Sequence, residues 1–184
     1  MTLSLPQFVD ALSASGLMTA DELSAFRARL PEAASGSDTE ALARELVRQG
    51  KLTSFQVNAV YQGKTRGLVF GEYMVLDKLG AGGMGRVFRA RHRRMDRIVA
   101  LKVLPREALD SPQAVERFER EVRAAARLLH PNIVTAYDAS NADDRFYLVL
   151  EYVDGPNLDQ LVRAQGKLAV GLACEYIRQA AAGL

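Results

Sequence analysis

Cysteine, histidine, long apolar runs and excess charge of either sign are all scarce in this chain, and each shortage removes a class of function. Cys174 is the one cysteine, which rules out an internal disulfide and points to a reducing, cytoplasmic setting. His92 and His130 are the two histidines, and neither lies in an acid–histidine cluster, so a metal or histidine-based catalytic centre has little to be built from. His130, ahead of Pro131-Asn132, reads instead as an anchor for the loop between a helix and a strand from Ile133 to Asp138. No 18-residue apolar run and no charged-then-apolar leader occurs, so neither a membrane span nor a signal peptide is expected. The net charge is +2; residues 1–66 carry 7 basic and 7 acidic side chains, and residues 67–184 carry 17 and 15. Arg89, Arg91, Arg93, Arg94 and Arg97 do cluster, but without interleaved aromatics. They read as a solvated turn between two strands, and nucleic acid is not an expected partner.

What is present fits a globular protein in two parts. The 184 residues are 48% hydrophobic and 25% charged, enough to bury a real core. Residues 1–66 carry an internal repeat at an offset of 34: Gly16-Leu17-Met18-Thr19 aligns with Gly50-Lys51-Leu52-Thr53, Phe8 with Leu42, Leu12 with Leu46 and Phe26 with Val60. Each copy reads as helix, glycine stop, threonine N-cap and second helix, with Glu22 or Gln56 three residues after the cap completing a capping box. A tetratricopeptide array shares this period, but its aromatic and glycine pattern is missing and two copies are fewer than a solenoid needs. A compact four-helix unit is therefore expected. Pro31 to Ser37 joins its hairpins, and residues 67–72 link it to a second domain at 73–184.

That second domain opens on Leu79-Gly80-Ala81-Gly82-Gly83-Met84-Gly85-Arg86-Val87. A glycine pattern of this kind occurs in several phosphate-binding folds, so the residues after it must discriminate. A dinucleotide loop opens a helix and has an acid about 20 residues on. Here Arg86 to Arg91 reads as a strand, and the acid is missing. A Walker loop ends in Gly-Lys-Ser/Thr, and Gly85 is followed by Arg86. The pattern that remains is strand, glycine loop, strand: a hairpin whose backbone N–H groups can approach phosphate oxygens. An ordinary glycine-rich β-turn is the alternative on the loop alone.

The following elements decide between them. Ile98 to Leu104 is an apolar strand pattern interrupted by Lys102, and an ammonium among aliphatic neighbours calls for a carboxylate or phosphate partner. Ser111 to Leu129 reads as an amphipathic helix with Ser111 as N-cap, Pro112 in the first turn, and Phe118, Val122, Ala125 and Leu129 on one face. On a helical wheel Glu121 falls roughly 60° from that face, closer than Glu116 or Glu119. It is the acid best placed to reach Lys102, the alternative being one more solvated charge.

These residues resemble the eukaryotic-type serine/threonine protein kinases, especially their bacterial members. The glycine loop, Val99-Ala100-Leu101-Lys102, Glu121, His130-Pro131-Asn132-Ile133-Val134 and Tyr147-Leu148-Val149-Leu150-Glu151-Tyr152-Val153-Asp154-Gly155 follow that family's order and spacing. The resemblance implies an α+β fold: an antiparallel-sheet lobe with its helix, followed by the first helices of a second lobe, here behind a helical N-terminal domain. It also implies an ATP site. Gly80, Ala81, Gly82, Gly83, Met84 and Gly85 would cover the phosphates, and Lys102 would hold them while pairing with Glu121. Val87 and Ala100 would sandwich the adenine, Leu79 would close its edge, and Leu150 would be the gatekeeper. The carbonyl of Glu151 and N–H of Val153 would meet the adenine edge, with Asn157 near the ribose.

The family's H-R-D-x-x-x-x-N and D-F-G motifs, which supply the substrate-positioning aspartate and the magnesium ligands, do not occur in this sequence. After a short helix at Asn157 to Gln165 comes a second at Val170 to Leu184, with Ala173, Ile177, Ala180 and Leu184 on one side. No catalytic or metal residue is therefore assigned within this chain. The expectation is the ATP-binding portion of a kinase, inactive alone: a fragment, a shortened reading frame or a stand-alone module. A non-catalytic nucleotide-sensing or protein-docking module is the alternative. A protein substrate or docking partner is implied but not named.

Overall fold

The structure is a computed structural model that describes residues 3–30, 38–82, 85–105 and 111–184. The Pro31–Ser37 connection, Gly83 and Met84 lie outside the described residues.

Among the described residues four helices come first: α1 (Leu5–Ala14), α2 (Ala20–Arg27), α3 (Thr39–Arg48) and α4 (Ser54–Tyr61). The second pair begins and ends 34 residues after the first. In α2 and α4 the threonine hydroxyl accepts from the N–H three residues on, Glu22 or Gln56, whose side chain accepts from the threonine N–H in return. This reciprocal cap satisfies two orphan donors at each helix start. Gly16 and Gly50 end α1 and α3 at φ of 70° and 65°, the left-handed turn that glycine adopts without Cβ strain. Phe8, Leu12, Leu23, Leu42, Leu46 and Val60 form the buried centre, each at most 2% exposed.

This core does not stop at residue 66. Leu68 and Met74 belong to the same apolar cluster. The stretch expected to be a linker holds strand β1 (Val69–Phe70), which pairs with β2 (Tyr73–Gly82), and Phe70 is 1% exposed. Its flanking glycines suggest an unpacked connection, whereas the Leu68-Val69-Phe70 triplet between them folds into both cores. A segment of residues 1–66 is expected to melt cooperatively by circular dichroism, but at a lower temperature than a segment extended to Lys78. Equal midpoints would show that Leu68 and Met74 contribute nothing to the helical unit.

The sheet continues with β3 (Gly85–His92), β4 (Arg97–Val103), β5 (Ala136–Ala142) and β6 (Arg145–Glu151), all antiparallel in the order β1-β2-β3-β4-β6-β5. Its residues alternate between two faces. Val75, Phe88, Ala90, Val99, Leu101, Val103, Tyr147 and Val149 form the buried face, joined by Phe70 and Tyr73. Val87, Ala100, Lys102, Leu148 and Leu150 occupy the other and are half-buried. The arginine turn between β3 and β4 is exposed from Arg93 to Ile98, as its composition suggests, and its side chains still find partners. Arg97 lies 3.8 Å over the Tyr137 ring, Arg91 meets Asp96 at 3.6 Å, and the Arg93 guanidinium donates to the Gly16 carbonyl.

Helix α5 (Pro112–Ala125) begins as the sequence suggests, the Ser111 hydroxyl accepting from the Ala114 N–H at 3.2 Å. It ends a turn earlier than expected, leaving Leu128 and Leu129 exposed. After Ala125 the bonding tightens, Arg127 N–H donating to the Ala124 carbonyl and Leu128 N–H to the Ala125 carbonyl, and a second turn follows at His130, where Pro131 disfavours helical backbone. There the His130 carbonyl accepts from Ile133 N–H and His130 Nδ1 accepts from Asn132 N–H. The strand expected at Ile133 consequently starts only at Ala136. Two further helices follow β6, α6 (Leu158–Gln165) and α7 (Val170–Gly183). Asn132 Nδ2 donates to Gln179 Oε1 of α7 at 3.3 Å, tying α7 to the His-Pro-Asn turn. Among the described residues no helix is long and apolar enough to cross a membrane.

Candidate functional site

β2 and β3 form the expected glycine hairpin, the last described pair being Gly82 opposite Gly85. Two bulges interrupt its register, between Val75 and Asp77 and between Lys78 and Gly80, so Leu76 and Leu79 are the extra residues. A bulge bends and twists its strand, and Leu79 is left 45% exposed beside the loop. Added Cβ atoms at Gly80 and Gly82 would meet nothing within 4 Å, so the strand backbone at these two glycines lies open to a ligand. Gly85 differs. Its φ is 110°, and a Cβ there would overlap the Val103 carbonyl oxygen of β4.

Register alone assembles the open face. Lys102 stands between Val87 on β3 and Leu148 on β6, and Ala100 stands between Arg89 and Leu150. Paired residues share a face, so Val87, Ala100, Lys102 and Leu150 come together as one surface below the hairpin. The chain leaves that surface through Glu151. Its N–H donates to the Thr135 carbonyl, and its carboxylate accepts from Thr135 N–H at 3.2 Å. Val153 follows, 63% exposed. Asn157 serves as the α6 N-cap, its side chain accepting from Gln160 N–H at 2.8 Å.

Glu121 is not brought to Lys102. It is exposed, and no ion pair joins the two. The reason lies in which strands the helix meets: the Phe118 ring packs edge-on against Phe146 of β6 at 5.8 Å, and a groove between α5 and β5 is lined by Val122 and Ala139. The apolar stripe thus seats α5 over the β5–β6 edge, away from the lysine strand. The described residues also gather no group of three or more His, Cys, Asp or Glu side chains able to hold a metal. No step through magnesium is assigned to them.

A curled antiparallel sheet with a glycine hairpin over a lysine-bearing strand, a helix beside it and a strand leading out to further helices is the architecture of a kinase small lobe. The protein kinase domain family matches residues 73–184, and the chain belongs to that family. It is 38% identical over 125 residues to the serine/threonine-protein kinase pkn3 of Myxococcus xanthus, covering 67% of this chain and 22% of that one. To PrkC of Bacillus subtilis it is 40% identical over 100 residues, covering 54% and 15%. Among solved structures, the Mycobacterium tuberculosis PknI kinase domain superposes with a TM-score of 0.56 at 32% identity, covering 64% of this chain and 47% of that one. The chain therefore spans about a fifth or less of these curated relatives.

Proposed function

We propose that residues 73–184 are the ATP-binding portion of a serine/threonine protein kinase. The observation that carries the reading is the register that sets Lys102 beside Val87 and level with the open glycine hairpin. ATP would lie on the half-buried face. Val87 and Ala100 flank the adenine, Leu79 closes its edge, and Leu150 bounds the pocket's depth. The Glu151 carbonyl and Val153 N–H read the adenine edge. The backbone of the loop from Gly80 to Gly85 and the Lys102 ammonium offset the phosphate charge. Glu121 would join Lys102 only once α5 swings toward β4, so the pair belongs to the nucleotide-bound state.

In the longer proteins that this family comprises, magnesium neutralises charge on the transferred phosphoryl group. The present residues bind and orient nucleotide, and phosphoryl transfer by them alone is not expected, because the substrate-positioning aspartate is missing from their sequence. That same feature supports the second reading, a nucleotide-sensing or docking module. A cytoplasmic location and a protein substrate are part of the proposal.

Titration calorimetry with ATP tests the site. Lys102→Ala should weaken ATP at least about tenfold, the worth of one charged hydrogen bond. In the double-mutant cycle with Glu121→Ala, effects on melting of the free protein should add, since the two side chains do not touch. Effects on ATP affinity should fall short of additivity. Labelled ATP should transfer no phosphate to the chain or to a basic substrate. Binding indifferent to Lys102→Ala, or transfer abolished by it, would overturn the reading.

A further inference from the structure

The two halves of the N-terminal repeat differ at one position that the sheet makes important. Glu22 and Gln56 are equivalent capping-box residues, but Glu22 is exposed and Gln56 is 1% exposed. The buried amide uses both ends. Oε1 accepts from the Thr53 N–H at 2.7 Å, and Nε2 donates to the Val75 carbonyl of β2 at 2.6 Å. Thr53 completes the contact, its hydroxyl donating to the Leu76 carbonyl at 2.6 Å. A carboxylate at position 56 could not donate to Val75, which is why the second copy needs the amide.

Leu76 is the extra residue of the first β2 bulge, so no residue of β3 stands directly opposite it. Thr53 satisfies its carbonyl from outside the sheet. Four residues further along the same strand lies Gly80. Strand register is a two-valued property: a slip of one residue turns every following side chain to the opposite face. The helical unit therefore grips β2 where its register changes, just before the glycine hairpin. Phe55, tilted against Phe88 at 6.3 Å, and Arg93 on the Gly16 carbonyl hold the same unit to β3 and to the turn beyond it.

We propose that Gln56 and Thr53 are positioning residues for the phosphate end of the nucleotide site, fixing the β2 bulge and with it the aim of the glycine hairpin. This rests on the ATP reading above. Neither residue lies on the sheet face that carries Lys102. Their effect should therefore fall on ligands that reach the hairpin, and spare one that ends at the ribose.

The test compares ATP with adenosine by calorimetry on the full 184-residue chain, with Gln56→Met, Thr53→Val, Thr53→Ser and Lys102→Ala alongside wild type. Gln56→Met should weaken ATP about tenfold, the equivalent of one buried hydrogen bond, while adenosine stays within about twofold. Thr53→Val should lower the ATP-to-adenosine ratio in the same direction, and Thr53→Ser, which keeps the hydroxyl, should restore it. Thr53→Val carries the test if Gln56→Met fails to fold, since it leaves the buried amide in place. An unchanged ratio in the folded variants, with Lys102→Ala still impaired, overturns the positioning role alone. ATP binding that is absent in wild type or indifferent to Lys102→Ala overturns the site reading and this inference with it.

Discussion

Gly85→Ala should destabilise the chain by about 2–5 kcal/mol, more than a typical single substitution. Two costs add. The residue sits at φ 110°, a region L-residues rarely enter, and its Cβ would overlap the Val103 carbonyl, with the Leu104 Cα 3.2 Å away. Both neighbours are backbone, so no side-chain rotation relieves the clash, and β3 must move away from the end of β4. Gly82→Ala is the control. Its Cβ meets nothing within 4 Å, and its stability should stay within about 0.5 kcal/mol of wild type. Thermal melting of the three proteins decides the matter. Equal midpoints for Gly85→Ala and wild type would mean that Gly85 serves the ligand alone.

Leu46→Ala should cost about 2–5 kcal/mol in chemical denaturation, through lost burial and the cavity left behind. Leu46 is 0% exposed, as is its repeat equivalent Leu12, so Leu12→Ala should fall in the same range. Leu128 is 51% exposed, and Leu128→Ala should change stability by about 0.5 kcal/mol or less. A Leu46→Ala protein no less stable than Leu128→Ala would remove residues 1–66 from the folded core.

The local patterns of this chain were legible wherever one element's own residues determine it. Thr19 with Glu22 and Thr53 with Gln56 state where two helices start, and both start there. The apolar run from Ile98 to Leu104, interrupted by Lys102, reads as a strand, and Arg97–Val103 forms one. The failures concern choices between elements. Glu121 sits beside the apolar stripe of α5, but only the packing of Phe118 on Phe146 decides which strands that stripe covers. Leu68 and Phe70 were hidden by the glycines around them, since a three-residue apolar run gives no periodicity to read. Gln56 did carry a signal, the amide standing where the first copy has a carboxylate. Its meaning depended on a β2 bulge with no mark in the sequence.

The strand order bears on how the sheet is assembled. Every neighbouring pair but one is consecutive along the chain, the exception being β4 with β6. Hairpins of that kind close over short loops, whereas the β4–β6 seam must bring Val99–Val103 to Tyr147–Glu151 across the whole of α5 and β5. The loop-closure entropy of the sheet is thus concentrated in a single zipper. Lys102 opposite Leu148 and Ala100 opposite Leu150 lie within it, so the adenine and phosphate surfaces come into existence together, at the step with the longest search.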